Sequence, residues 1–155
     1  MFKTIVWATD GSELADAALD FVRELAREDG SRIVAVHANE VMRGRSGGQP
    51  ALADKPELEA KIGRQIEELH SVGIDATLLI RTGNKAVATL IADAADEVDA
   101  DLIVVATHGA SGFTAALMGS VARALCHAAR TPVLVIPPAK RPEKQAEKDD
   151  RLAAV

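Results

Sequence analysis

Asp101-Leu-Ile-Val-Val-Ala-Thr-His-Gly-Ala-Ser-Gly-Phe-Thr-Ala-Ala-Leu-Met-Gly-Ser-Val121 decides the reading of this chain. Its first residues are a short apolar run, the pattern of a strand buried on both faces. Its last residues lead into Val121-Ala-Arg-Ala-Leu-Cys-His-Ala-Ala-Arg130, which reads as a helix. Between strand and helix lie Gly109, Gly112 and Gly119, with a Gly119-Ser120 pair at the helix entrance. Glycine lets the backbone approach a guest closely and adopt positive φ. The first N–H groups of a helix have no internal partner and sit at the positive end of its dipole. Such a place suits a phosphate. A plain strand–helix connection has the same composition, so the loop alone leaves both readings open.

Working outward, apolar strands alternate with amphipathic helices along the whole chain. Thr4-Ile-Val-Trp-Ala8 reads as strand 1. Thr9-Asp10-Gly11-Ser12 ends it and opens helix 1, with Ser12 as N-cap and Leu14, Ala17, Ala18, Phe21, Val22 and Leu25 on the inner face. Asp29-Gly30 stops the helix, and Arg32 to His37 is strand 2. Residues 38–56 form a long polar connection containing Arg43 and Arg45; such loops in compact domains are usually functional or mobile. Glu57 to Val72 is helix 2, with Leu58, Ile62, Ile66 and Leu69 inward. Ile74 to Arg81 is strand 3, Thr82-Gly83 a turn, and Asn84 the cap of helix 3, whose inner face is Val87, Leu90, Ile91, Ala94 and Val98. Asp101 to Ala106 is strand 4 and Val133 to Ile136 strand 5. Residues 1–138 make one domain, and 139–155 are a charged tail outside its core.

This alternation means a parallel sheet with helices on both faces and right-handed crossovers. The expected order is 3-2-1-4-5, a flavodoxin-like or Rossmann-like α/β fold. In it, strands 1 and 4 are neighbours whose connections leave in opposite directions, and the crevice at their carboxyl ends is the expected ligand site. Strand 1 delivers Ala8, Thr9 and Asp10 there; strand 4 delivers Ala106 to Gly109.

Composition narrows the function. Aromatic residues are 3% of the chain with no Tyr, and formal net charge is −5. Both argue against binding to nucleic acid, which needs exposed rings or a basic patch, and the charge argues against an anionic membrane surface. No apolar run approaches the ~20 residues needed to span a bilayer, and no signal peptide is read at Met1-Phe-Lys3, so a cytoplasmic location is expected. The single cysteine, Cys126, excludes a disulfide framework and reads as a small buried thiol. His70 and His127 lie on helices without metal-ligand spacing, so no transition-metal site is expected. His37 reads as a satisfied core or rim histidine. His108 has no carboxylate beside it in sequence and reads as a loop residue rather than a general acid or base. Neither a P-loop nor a dinucleotide Gly-x-Gly-x-x-Gly follows a strand.

Lys3-Thr-Ile-Val-Trp-Ala-Thr-Asp-Gly-Ser12, Ala106-Thr-His-Gly109, Gly119-Ser120 and Thr131-Pro-Val-Leu-Val-Ile-Pro137 together resemble the universal stress protein family, across essentially residues 1–138. The resemblance implies a stress-response regulatory protein that dimerises and, in many members, binds ATP. The ATP-binding signature is glycine, two residues, glycine, nine residues, then glycine with Ser or Thr. Gly109, the nine residues 110–118 and Gly119-Ser120 match it. Its first glycine is Ala106 here, a change tolerated at negative φ and costing about 1 kcal/mol or more at positive φ. Carried over residue by residue, Ala8 and Ala38 would line the adenine, and Asp10 would lie near adenine and ribose or hold a water of Mg²⁺. Val105 and Ala106 would flank the ribose. Gly109, Gly119, Ser120 and Val121 would cradle the phosphates. Simpler roles stand beside these: Asp10 as the organiser of an Asp-Gly turn, Ser120 as a helix cap.

The expected function is therefore Mg²⁺-dependent ATP binding with at most slow hydrolysis. A nucleotide-free dimeric interaction module and a binder of another adenine nucleotide such as cyclic AMP are the alternatives; an α-phosphate hydrolase rests on fold analogy alone. Val133 to Ile136 is an apolar edge strand, which calls for cover, and antiparallel pairing with its twin in a homodimer would supply it.

Overall fold

A computed structural model describes residues 1–41, 55–107 and 118–138. Arg43 and Arg45, most of the 42–56 connection, His108, Gly109, Gly112 and the tail 139–155 lie outside the described residues. The elements are β1 (Thr4–Ala8), α1 (Glu13–Asp29), β2 (Arg32–Glu40), α2 (Lys55–Ser71), β3 (Ala76–Gly83), α3 (Val87–Glu97), β4 (Leu102–Ala106), α4 (Ser120–Ala128) and β5 (Val133–Ile136). The sheet has five strands in the order β3-β2-β1-β4-β5. Every pairing is parallel, with Trp7 beside Ala35 and Val104, and Ala106 beside Ile136. This is the α/β fold and strand order that the alternation demands.

Side chains of a strand alternate between faces, so β1 feeds two cores. Ile5 and Trp7 enter the layer under α1 and α2, with Ile33, Ile62, Leu69 and Val104. Val6 and Ala8 enter the layer under α3 and α4, with Val36, Ile91, Ile103 and Leu125. The Trp7 indole N–H donates to the Ala15 carbonyl at 3.1 Å, which turns that side of α1 toward the sheet. The buried residues of α1 are accordingly Ala15, Ala18, Leu19, Val22 and Ala26. Phe21, expected inside, is 50% exposed, and Leu14 and Leu25 pack at the edge of the core.

Ser12 caps α1 as expected, accepting from the Ala15 N–H at 3.3 Å. Three other expectations are corrected. Thr82 and Gly83 are not a turn but the end of β3, paired with Asn39 and Glu40 of a longer β2. That extension delays α3, whose N-cap is Ala86 with no side-chain bond, so Asn84 is not its cap. Cys126 is exposed; the short α4 buries only Ala122 and Leu125, and Cys126 falls outside that narrow stripe.

At the opposite end of the sheet, Asp101 joins β1 to β4. Its Oδ2 accepts from the N–H groups of Lys3 at 2.7 Å and Thr4 at 2.9 Å, and its own N–H donates to the Thr4 carbonyl at 2.9 Å. The Thr4 N–H, then that of Lys3, holds its carboxyl below the ordinary carboxylate range. A lowered folded pKa contributes stability that is present above the unfolded value and lost as pH falls through the folded one. Asp101→Asn is thus expected to be less stable than wild type at neutral pH, with the gap closing on acidification; urea midpoints between about pH 2 and pH 7 check this.

At the other end, Gly11 has φ +76°, and a Cβ there would lie 1.9 Å from Leu58 Cδ1 of α2. Gly11→Ala is expected to cost about 1–3 kcal/mol in denaturant unfolding. In a Leu58→Ala background only the backbone penalty remains, and the cost falls to about 1 kcal/mol.

Candidate functional site

β1 and β4 are five residues each, whereas β2 has nine and β3 eight. At their carboxyl ends β1, β4 and the edge strand β5 therefore stop short of β2 and β3. The chain leaves β1 toward the α1 layer, while α4, which follows β4, packs on the opposite face beside α3. Between them opens a cavity of about 360 Å³, within the range of small-molecule sites.

From β1 come Ala8, Thr9 and Asp10, and from β2 Ala38. From β4 and its exit come Val105, Ala106 and Thr107. Gly119, Ser120 and Val121 close the opposite wall at the start of α4. Nine of the ten residues expected at the site thus meet in one cavity; Gly109 lies outside the described residues. Ala15, Val87, Ile91 and Ala122 complete the described lining and were not anticipated there. Ala15, Val87 and Ala122 share a position, the first turn of α1, α3 and α4. In a parallel sheet those turns rim the carboxyl edge, and that rule could have found them.

The anion end is built by α4. Its N-cap is Gly119, with no side-chain cap bond. The first bond of the helix is Arg123 N–H to the Gly119 carbonyl at 3.1 Å, so the N–H groups of Ser120, Val121 and Ala122 have no partner within the helix. Ser120 is the first helical residue rather than the cap. The Gly119 N–H donates to the Thr107 carbonyl, tying the helix entrance to the exit of β4. Gly119 has φ −58°, a conformation open to any residue. Ala106 does not have positive φ: Asp99 alone does among the described non-glycine residues. The strand therefore accepts alanine at this point without strain.

The floor is the Thr9-Asp10-Gly11 turn. The Thr9 N–H extends the β1–β2 ladder by donating to Val36 O at 3.0 Å, and Thr9 Oγ1 accepts from the Gly11 N–H at 3.1 Å. His37 is buried and its Nδ1 lies 2.9 Å from the Thr9 carbonyl, which it can only meet as a donor. It is a satisfied histidine under the site. Asp10 Oδ1 accepts from the Ser12 N–H at 3.0 Å, so the carboxylate does order the Asp-Gly turn. Among the described lining residues Asp10 is the one ionisable side chain. The other walls are alkyl groups, hydroxyls and backbone. No group of three His, Cys, Asp or Glu side chains among the described residues is arranged to hold a metal ion.

A sequence model of the Universal stress protein family matches residues 1–137. A universal stress protein of Thermus aquaticus is 32% identical over 145 residues, spanning 88% of this chain and 99% of its own. The universal stress protein of Archaeoglobus fulgidus in complex with dAMP superposes with TM-score 0.66 at 28% identity, over 88% of this chain and 98% of that one. A universal stress protein in complex with cAMP superposes with TM-score 0.64 at 26% identity, over 87% and 96%. With the sheet order, the extent of the match and the full-length likeness in agreement, this chain belongs to the universal stress protein family.

Proposed function

We propose that this chain is a regulatory protein that binds an adenine nucleotide, ATP with Mg²⁺, in the β1/β4 cavity and turns it over slowly or not at all. One observation carries the reading: a single cavity joins small apolar walls at Ala8, Ala38 and Val105 to the uncapped N-terminus of α4. The first suits a flat heterocycle, the second a phosphate. The dAMP and cAMP complexes of its structural relatives support the adenine half.

The residues also fit the metal. Mg²⁺ keeps several waters and is commonly held by one or two carboxylates together with substrate phosphates. Asp10 is such a carboxylate on the cavity floor. When bound, Mg²⁺ would offset the charge of the outer phosphates. The N–H groups of Ser120 and Val121 would hold phosphate oxygens, and Thr9 and Asp10 would orient the sugar. Since Asp10 is the one ionisable group of the described lining, the reading gives it a binding role. A nucleotide-binding role goes with a cytoplasmic location, beside a nucleotide supply.

The same reading includes a homodimer through β5. Ile103 N–H donates to Pro132 O and Thr107 N–H to Ile136 O, each at 2.9 Å. Parallel alternation then directs the polar groups of Leu134 and Ile136 to β4 and those of Val133 and Val135 outward. Pairing of two β5 edges would use the outward set.

Two experiments test this. Calorimetric titration of nucleotide-stripped protein should give micromolar binding of ATP with Mg²⁺, on the order of −8 kcal/mol. The affinity should fall on chelation of the metal, while AMP binding does not change. Gly119→Asp places a carboxylate cap on α4, so it should retain or raise thermal stability while abolishing binding of ATP, AMP and cyclic AMP alike. If wild type binds none of the three, the family fold acts here as an interaction module. In sedimentation, wild type should be dimeric at micromolar concentration, and Val135→Pro, which removes an outward N–H and no β4 bond, should be monomeric and folded.

A further inference from the structure

Asp10 sits between two backbone carbonyls that are each held from outside the turn. The Thr9 carbonyl accepts from His37 on β2 at 2.9 Å. The Gly11 carbonyl accepts from Lys61 Nζ on α2 at 2.6 Å. Lys61 Nζ also pairs with Asp16 Oδ2 at 2.7 Å, and Gln65, one turn further along α2, donates through Nε2 to Asp16 Oδ1 at 2.8 Å. One turn before Lys61, Leu58 fills the space beside Gly11 where a Cβ would stand. Thus α2, although none of its residues is among the described lining of the cavity, grips the turn that forms the cavity floor.

We infer that Lys61 is a positioning residue for the nucleotide site: by holding the Gly11 carbonyl it fixes the orientation in which Asp10 meets a bound nucleotide. The inference rests on the nucleotide reading above. Gly11 is at φ +76°, and glycine moves freely between this basin and others. Asp10 Oδ1 is bound to Ser12, so its carboxylate follows the turn as a unit. An ammonium donating to a carbonyl is a charge-assisted bond, stronger than a neutral one. Lys61 and Asp16 are 34% and 31% exposed, so the pair is partly screened, and Asp16 also keeps its bond to Gln65. The bond to Gly11 is therefore the contact through which Lys61 acts on the site, and the ion pair is a separate contact of the same ammonium. By linkage, a ligand that holds Asp10 also tightens the hold of α2, which carries the site's state to a helix on the protein surface.

The test separates the carbonyl bond from the ion pair. Lys61→Met removes both. Asp16→Asn removes the charge pair and leaves Lys61 on Gly11. Lys61→Arg keeps a cationic donor. In ligand-free protein, amide exchange at Gly11 and Ser12 should quicken about tenfold in Lys61→Met. It should change less than about twofold in Asp16→Asn, with Lys61→Arg near wild type. Titration with ATP and Mg²⁺ should rank the variants in the same order, with a loss of about tenfold for Lys61→Met. Wild-type exchange and affinity in Lys61→Met would overturn the inference. Equal losses in Asp16→Asn would overturn it too, since the contact would then only dock α2 on α1. If Lys61→Met does not fold, Lys61→Gln, which removes the charge from the donor to Gly11, takes its place against Asp16→Asn, with the same losses expected of it. If wild type binds no nucleotide, the functional reading fails, and the exchange arm still decides whether Lys61 orders the turn.

Discussion

Strand β1 is paired on both sides and covered on both faces, and the rest of the molecule depends on that double burial. Its ladder to β2 runs from Thr4 to Ala8, and its ladder to β4 from Ile5 to Trp7. Trp7 is wholly buried and still satisfies its one polar atom on Ala15. A strand so enclosed can release its chain only at its ends. At the lower end Asp101 closes the gap by accepting the N–H groups of Lys3 and Thr4. At the upper end the departing chains of β1 and β4 part around an opening.

That opening has an uneven character. One side is alkyl, built from alanine, valine and isoleucine side chains that add no charge. The other side is polar but contributes no formal charge: it is the start of a helix whose first N–H groups point outward. The one carboxylate among the described lining residues lies on the floor and is partly engaged by its own turn. A guest that suits all three must carry a flat apolar part, hydroxyls and an anionic end. The turn below it is braced by two neighbours, a histidine of the sheet and a lysine of a helix, so the geometry of the floor is a property of the packed domain rather than of the loop sequence.

Strand order and the place of the site were legible because they follow from connectivity. Parallel strands joined by right-handed crossovers leave few arrangements, and the switch point then brings Asp10 and Gly119 together. What escaped the sequence depends on contacts between elements. The rotation of α1 follows from the Trp7–Ala15 bond, so Phe21, on an apolar stripe in sequence, stands outside. The extra length of β2 and β3 is a pairing effect: Thr82 and Gly83 have turn composition, but Asn39 and Glu40 hold them in the ladder. Exposure of Cys126 reflects which side of α4 meets α3. The Lys61–Gly11 contact joins residues 50 apart in the chain, and no local pattern announces it.

The stepped upper edge of the sheet has a consequence for the lifetime of the protein. Because β1 and β4 end several residues before β2 and β3, the cavity opens where the ladder that joins the two halves of the sheet stops. A guest seated there would bridge those halves and bind the folded chain but not the unfolded one. At a concentration one hundredfold above its dissociation constant it would add about 2.7 kcal/mol to stability. A shift of that size reduces the unfolded population that proteases sample by roughly a hundredfold. The abundance of the protein would then follow the supply of the guest, and occupancy could be registered in a cell as survival of the chain as well as by a change of shape.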